Sequence, residues 1–181
     1  MACEPIKDKK QLKEFIEGLG MRRNGFVYQM YFEFALSTAL RVSDILSLRK
    51  KDIDDGFVKL KTQKTKKERI IRLNDACARN MEVYLRSKQD DDLIFPFTRQ
   101  NVHKFLKETA DFIGMDKSKI STHTARKTAA YHYYVQSGND LAKTQKFLGH
   151  KDPKVTQHYL MLDEEEVNKE LMQQNMDWMN L

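Results

Sequence analysis

The sequence predicts an α+β domain, mostly helical, with one small antiparallel hairpin or sheet. Two observations carry this. Apolar residues recur at helical spacing through most of the chain, in segments marked off by glycines and capping residues. Only between Asp52 and Leu73 does the period fall to two. With 181 residues, 40% of them apolar, the chain is long enough for one domain with a real core.

Taken in order, residues 6–17 read as an amphipathic helix with Leu12, Phe15 and Ile16 on one face, ended by Gly18 and Gly20. Asn24 caps a second helix to about Thr38. Its Phe26, Val27, Met30, Tyr31, Phe34, Ala35 and Leu36 cover more than one face, which marks a central, buried helix rather than a stacking platform. After a break at Arg41, Ser43 caps a helix holding Ile45, Leu46 and Leu48. Phe57–Leu60 and Arg69–Leu73 read as paired strands around a polar, lysine-rich tip. Asp75 caps a helix to about Ser87, and Thr98 caps one that carries Val102, Phe105, Leu106, Phe112 and Ile113 and closes at Gly114. His103 lies off that stripe and is read as a surface residue; His132 is read as facing solvent. Helices follow from His123 to Gly138 and from Asn139-Asp140 to Leu148. Asp152-Pro153, an N-cap with proline at the first helical position, opens the helix that carries Tyr159. Asp163-Glu164-Glu165-Glu166 then starts a last helix with Val167, Leu171, Trp178 and Met179 on an apolar face. The expected division is a domain over 1–163 and a C-terminal helix over 164–181.

The net charge is +6 and the isoelectric point near 9.2, which favours an anionic partner such as nucleic acid. Cys3 and Cys77 suggest neither a disulfide framework nor a metal site and are read as free thiols in a reducing compartment. There is no signal-peptide pattern and no apolar run of membrane-spanning length, so a cytoplasmic protein is expected. The carboxylates do not cluster and the five histidines lack ligand spacing, which argues against a metal-dependent nuclease.

The chemistry-bearing residues gather between Ser121 and Tyr159, with an outlier at Arg41. His123 and Arg126 are three apart and share a helix face. Gly149 ends a helix, His150 follows in the turn, and Tyr159 comes nine residues later. Arg41 sits among apolar residues, where an arginine is costly unless it meets an anion. Asp44 offers a structural bridge; a phosphate offers a functional partner. Guanidinium groups grip phosphate oxygens bidentately, a histidine adds a donor, and a tyrosine hydroxyl is a usable nucleophile when cations surround it.

His-x-x-Arg at 123–126, Leu-Gly-His at 148–150 and Tyr159 resemble the C-terminal signature of the tyrosine recombinase (phage integrase) family. Leu40-Arg41 and Ser43-Asp44 resemble its first box, and Gln63-Lys64-Thr65 resembles the hairpin position of its catalytic lysine. The resemblance spans roughly Leu36 to Leu162. It implies a tyrosine-recombinase-like catalytic domain that cleaves and rejoins DNA through a 3′-phosphotyrosyl link, with no cofactor and no metal. In that reading Tyr159 is the nucleophile. Arg41, Arg126 and His150 hold the phosphate, His123 assists proton transfer, Lys64 is the general acid, and Asp44 orients the site. Lys66 and Lys67 rival Lys64, because a one-residue register error flips a strand's faces. Lys59, Lys61, Lys66, Lys67, Arg69, Arg72, Lys127, Lys143 and Lys146 are candidates for contacts to the DNA backbone. The partners implied are double-stranded DNA and further copies of the chain, a monomer when free and a tetrameric synapse on DNA, with residues 164–181 packing on a neighbouring protomer. Two rivals remain: a type IB topoisomerase-like enzyme and a non-catalytic DNA-binding regulator on the same fold. The family's usual separate N-terminal helical domain is not matched by the roughly forty residues before Arg41.

Overall fold

The computed structural model describes residues 3–64 and 66–161; the expected C-terminal helix and its apolar face lie outside them. The described elements are α1 (Lys9–Gly20), α2 (Gly25–Thr38), α3 (Val42–Ile45), β1 (Ile53–Asp54), β2 (Phe57–Lys61), β3 (Glu68–Arg72), α4 (Asp75–Leu85), α5 (Arg99–Phe112), α6 (Thr124–Gln136), α7 (Leu141–Leu148) and α8 (Pro153–Leu160). The strands form one antiparallel sheet in the order β1-β2-β3, in register from Phe57 opposite Arg72 to Lys61 opposite Glu68. The short β1, Ile53–Asp54, extends the expected hairpin by one strand.

Several caps sit where side-chain chemistry places them. Asp8, Thr98, Asp140 and Asp152 each accept a hydrogen bond from a backbone N–H in the first turn they precede, and Pro153 is the first helical residue of α8. Others differ from the sequence reading. Asn74, not Asp75, caps α4, because its side chain reaches Cys77 N. Arg41, not Ser43, is the N-cap of α3, and Ser43 is exposed inside it. Asn24 precedes α2 in a left-handed conformation without a side-chain cap. Gly18 does not end α1. A Cβ there would lie 2.7 Å from Ile113 Cγ2, so the glycine lets α1 close onto α5.

Two apolar clusters organise the molecule. The larger joins α1, α2, α4, α5 and the sheet around Phe15, Phe32, Phe34, Phe95 and Leu106, all fully buried. Tyr31 stands edge-on to Phe95 and Phe105 at 5.4 and 5.6 Å between ring centres. The aromatic richness of α2 is thus core, although Phe26 is 58% exposed. The smaller cluster holds Ala39, Ala129, Ala130, Leu148 and Leu160, with Tyr159 and Phe147 against it. It ties the end of α2 to α6, α7 and α8, the elements that carry the resemblance.

Candidate active site

The site is assembled where helices stop. Ala39 ends α2 at φ +47°, a conformation that costs a non-glycine residue energy. Its carbonyl accepts from Arg126 Nη1, and two residues on Arg41 opens α3. At the far side α7 ends in a Schellman turn: His150 N donates to Gln145 O and Gly149 N to Lys146 O, with Gly149 at φ +67°. Two orphan carbonyls of that terminus go to arginines. Arg126 Nη2 donates to Leu148 O at 2.9 Å, and Arg69 Nη2 donates to Phe147 O at 2.7 Å.

This brings Arg126 Nη2 to 3.0 Å from His150 Nε2. A guanidinium can only donate, so Nε2 is the acceptor and the proton of the neutral ring is on Nδ1. Nδ1 then donates to Thr156 Oγ1 at 3.0 Å. Thr156 is fully buried one helical turn before Tyr159. The His150 and Tyr159 rings meet edge-on at 4.9 Å, and the Arg126 guanidinium lies 5.7 Å from the Tyr159 ring centre.

The field of this cluster is positive. Burial and the charges of Arg126, Arg41 and Arg69 push the His150 imidazole down to about 4, so it is neutral at pH 7. Burial and the Arg41 charge lower Arg126 to about 10, which leaves it ionised. Burial and Arg41 also lower Arg69, and Asp44 opposes them. His123, which precedes α6 as its N-cap residue, is lowered by burial and then by Arg99, Arg126, Lys127 and Arg41. Arg126 Nε is buried with no partner among the described residues. Arginines crowded this way repel one another and are suited to an anion.

Asp44 is 1% exposed, and its Oδ1 accepts from Gln63 N at 2.8 Å. It therefore anchors the β2–β3 turn one residue before Lys64, while its Oδ2 is buried with no partner among the described residues. The turn is closed by Thr62 N donating to Lys67 O and Lys66 N donating to Thr62 O, both at 2.9 Å. Lys61, Lys64, Lys66 and Lys67 are exposed on it.

The remaining basic residues divide. Lys146 is exposed, and Lys59 and Lys143 are exposed in ion pairs with Asp54 and Asp140. Arg72 is exposed near the Phe57 ring. Arg69 turns inward because strand alternation puts it on the Ile71 face, leaving Ile70 70% exposed. Lys127 does not lie on a backbone track: it is 6% exposed and donates to Cys3 O at 2.6 Å. His132 is tied to the main chain, 3.0 Å from Ile6 O, rather than facing solvent. A cleft of about 930 Å³ between α1, β3 and α6 shares Arg69 and Phe147 with the cluster but is lined by none of Arg41, Arg126, His150 or Tyr159. Among the described residues no group of three or more His, Cys, Asp or Glu could hold a metal ion, and no helix is long and apolar enough to cross a membrane.

A helical domain with arginines, a neutral histidine and a tyrosine at one junction of helix ends is equipped to hold an anion beside a hydroxyl. The chain matches the phage integrase family over residues 7–166 and belongs to that family. It is 31% identical over 170 residues to the probable integrase/recombinase YoeC of Bacillus subtilis, spanning 90% of this chain and 91% of that protein. It is 30% identical over 194 residues to the tyrosine recombinase XerD of Rickettsia bellii, spanning 92% of this chain and 62% of that one. Among solved structures it is similar to the XerA recombinase, with a TM-score of 0.77 at 20% identity over 96% of this chain and 64% of that one. It is also similar to XerH bound to its difH substrate after cleavage, with a TM-score of 0.74 at 20% identity over 91% and 51%. At such identities these structures speak for the fold. The chain thus spans nearly all of YoeC but less than two thirds of XerD, XerA and XerH.

Proposed function

We infer that this chain is the catalytic domain of a site-specific DNA recombinase of the tyrosine type, acting on double-stranded DNA in the cytoplasm. The observation that carries this reading is Tyr159 placed against both His150 and Arg126, with Arg41 and Arg69 electrostatically coupled to them. The scissile phosphate enters that positive field. Tyr159 Oη attacks phosphorus, the bond to the 5′ oxygen breaks, and a 3′-phosphotyrosyl link forms. Arg41 and the Nε–H of Arg126, which has no partner among the described residues, receive the non-bridging oxygens, whose charge grows in the transition state. Lys64 protonates the leaving 5′ oxygen from its turn, and His123 assists proton transfer at the nucleophile. The link keeps the bond energy, so a second 5′ hydroxyl rejoins the strand without ATP. Exposed Lys61, Lys66, Lys67 and Lys146 contact the backbone. Copies of the chain assemble on paired sites, with residues 164–181 packing on a neighbouring protomer.

The test uses nicked duplexes taken by binding selection from a randomised pool, since cleavage next to a nick loses its rejoining strand. A covalent protein–DNA band that Tyr159→Phe abolishes, together with joint molecules from two sites, supports the reading. Relaxation of supercoils with no joint molecules indicates a topoisomerase. Binding without a covalent band indicates a non-catalytic regulator.

A further inference from the structure

The chain before α1 crosses α6 and reaches the end of the helix that carries Tyr159. Glu4 N donates to Lys119 O at 3.0 Å, and Ile6 N donates to the buried Thr128 Oγ1 at 2.9 Å. Ile6 O lies 3.0 Å from His132 Nε2, so the strap is pinned on both edges. Lys7 Nζ then donates to Met161 O, the residue that closes α8, at 2.9 Å. Between strap and helix lies Lys127. Its side chain is buried, its ammonium donates to Cys3 O at 2.6 Å and lies 3.4 Å from Met161 Sδ, and it stands 5.7 Å from the Tyr159 ring centre.

A buried ammonium is costly, and an uncharged residue would fill the same volume. What the ammonium adds here is a joint among three parts. It holds the strap carbonyl, the C-terminal turn of α8 and the ring of the tyrosine. α8 has only eight residues, too few to hold itself in water. Its C-terminal end is held by the buried Leu160 and Thr156, by the His150 and Arg126 contacts to the Tyr159 ring, and by the strap. Displacing a reacting hydroxyl by about 1 Å costs on the order of 10²-fold in rate, so whatever fixes this end of α8 governs chemistry without touching DNA.

We propose that residues 3–7 form a positioning strap for the nucleophile helix, with Lys127 the positioning residue that joins strap, helix and Tyr159 ring. The proposal rests on Tyr159 being the nucleophile, and its test separates the two. Lys127→Met keeps length and apolar packing but removes the joint, Lys127→Arg keeps a cation, and Thr128→Val releases the strap at Ile6 without altering Lys127. Each is compared with wild type and Tyr159→Phe for DNA affinity, for single-turnover adduct formation at saturating protein, and for hydrogen exchange of the α8 amides in free protein. Lys127→Met slows adduct formation by roughly tenfold or more at unchanged affinity, Lys127→Arg recovers part of the loss, and Thr128→Val slows it by a few-fold. In both Lys127→Met and Thr128→Val the amides of residues 156–161 exchange faster while those of α5 do not. Wild-type rate and exchange in Lys127→Met and Thr128→Val overturn the proposal, as does loss of affinity in step with rate. If Lys127→Met does not fold, Thr128→Val decides by the same readouts. An adduct that persists in Tyr159→Phe overturns the functional reading instead, and the exchange comparison still tests the strap.

Discussion

Arg126 cannot turn away from His150 without releasing two carbonyls, and that restriction fixes the protonation of the histidine. In the free protein the His150 ring titrates near pH 4, and in a phosphate complex it moves upward because the anion offsets the arginine charges. An NMR titration with and without bound DNA checks both values. Between about 6.5 and about 4 the unfolded chain takes up a proton that the folded ring refuses, so stability falls as pH drops through that window. Urea unfolding at stepped pH gives a steeper fall in wild type than in His150→Gln. The two arginines proposed to hold the phosphate part company on stability. Arg41 is half-buried and Arg41→Ala slows cleavage about a hundredfold with little change in melting temperature. Arg126 is 2% exposed and holds Ala39 O and Leu148 O, so Arg126→Ala also destabilises by about 2–4 kcal/mol. Single-turnover cleavage and thermal melts on the same preparations separate the two effects. Lys64→Ala blocks cleavage of ordinary DNA but spares a substrate whose 5′ bridging oxygen is sulfur, because sulfur leaves without a proton. Equal defects on both substrates would make Lys64 a phosphate clamp.

Helix ends do the positioning, and their residues set what can change. Gly149→Ala puts a Cβ 3.3 Å from Arg69 Nη1 at a left-handed position, a loss of about 1 kcal/mol or more. Urea unfolding measures that loss, and cleavage falls with it because His150 follows in the same turn. Leu160→Ala opens the small cluster under Tyr159 and costs about 2–5 kcal/mol, which a melt reports. These ends were largely legible in the sequence. Asp152-Pro153 announced α8, Gly149 announced the turn before His150, and the break at Arg41 was visible between apolar runs. Arg69 and Lys127 were not legible, since both depend on direction. Arg69 faces in through strand parity that Ile70 and Ile71, both apolar, could not decide. Lys127 is buried between α8 and the strap that lies over α6, a contact more than a hundred residues away in sequence. Thr156 carried a usable signal, since it lies one turn before Tyr159 on the same face.

At the scale of the whole molecule the proposed site lies beside the small cluster that ties the end of α2 to α6, α7 and α8, apart from the large aromatic core. The exposed cations of the β2–β3 turn and of α7 extend the positive field outward. Affinity for duplex DNA therefore falls steeply with salt. Replacing Lys66 and Lys67 by alanine lowers the slope of log K against log salt by about one for each phosphate no longer neutralised. Binding isotherms at several salt concentrations measure it. The residue to which DNA becomes attached is the most direct test of the chemistry. Protein trapped on a nicked duplex, digested and mapped by mass spectrometry, carries its nucleotide on the peptide that contains Tyr159, and Tyr159→Phe yields no adduct while binding DNA with wild-type affinity. Nucleotide on any other residue, or an adduct that survives in Tyr159→Phe, would contradict it.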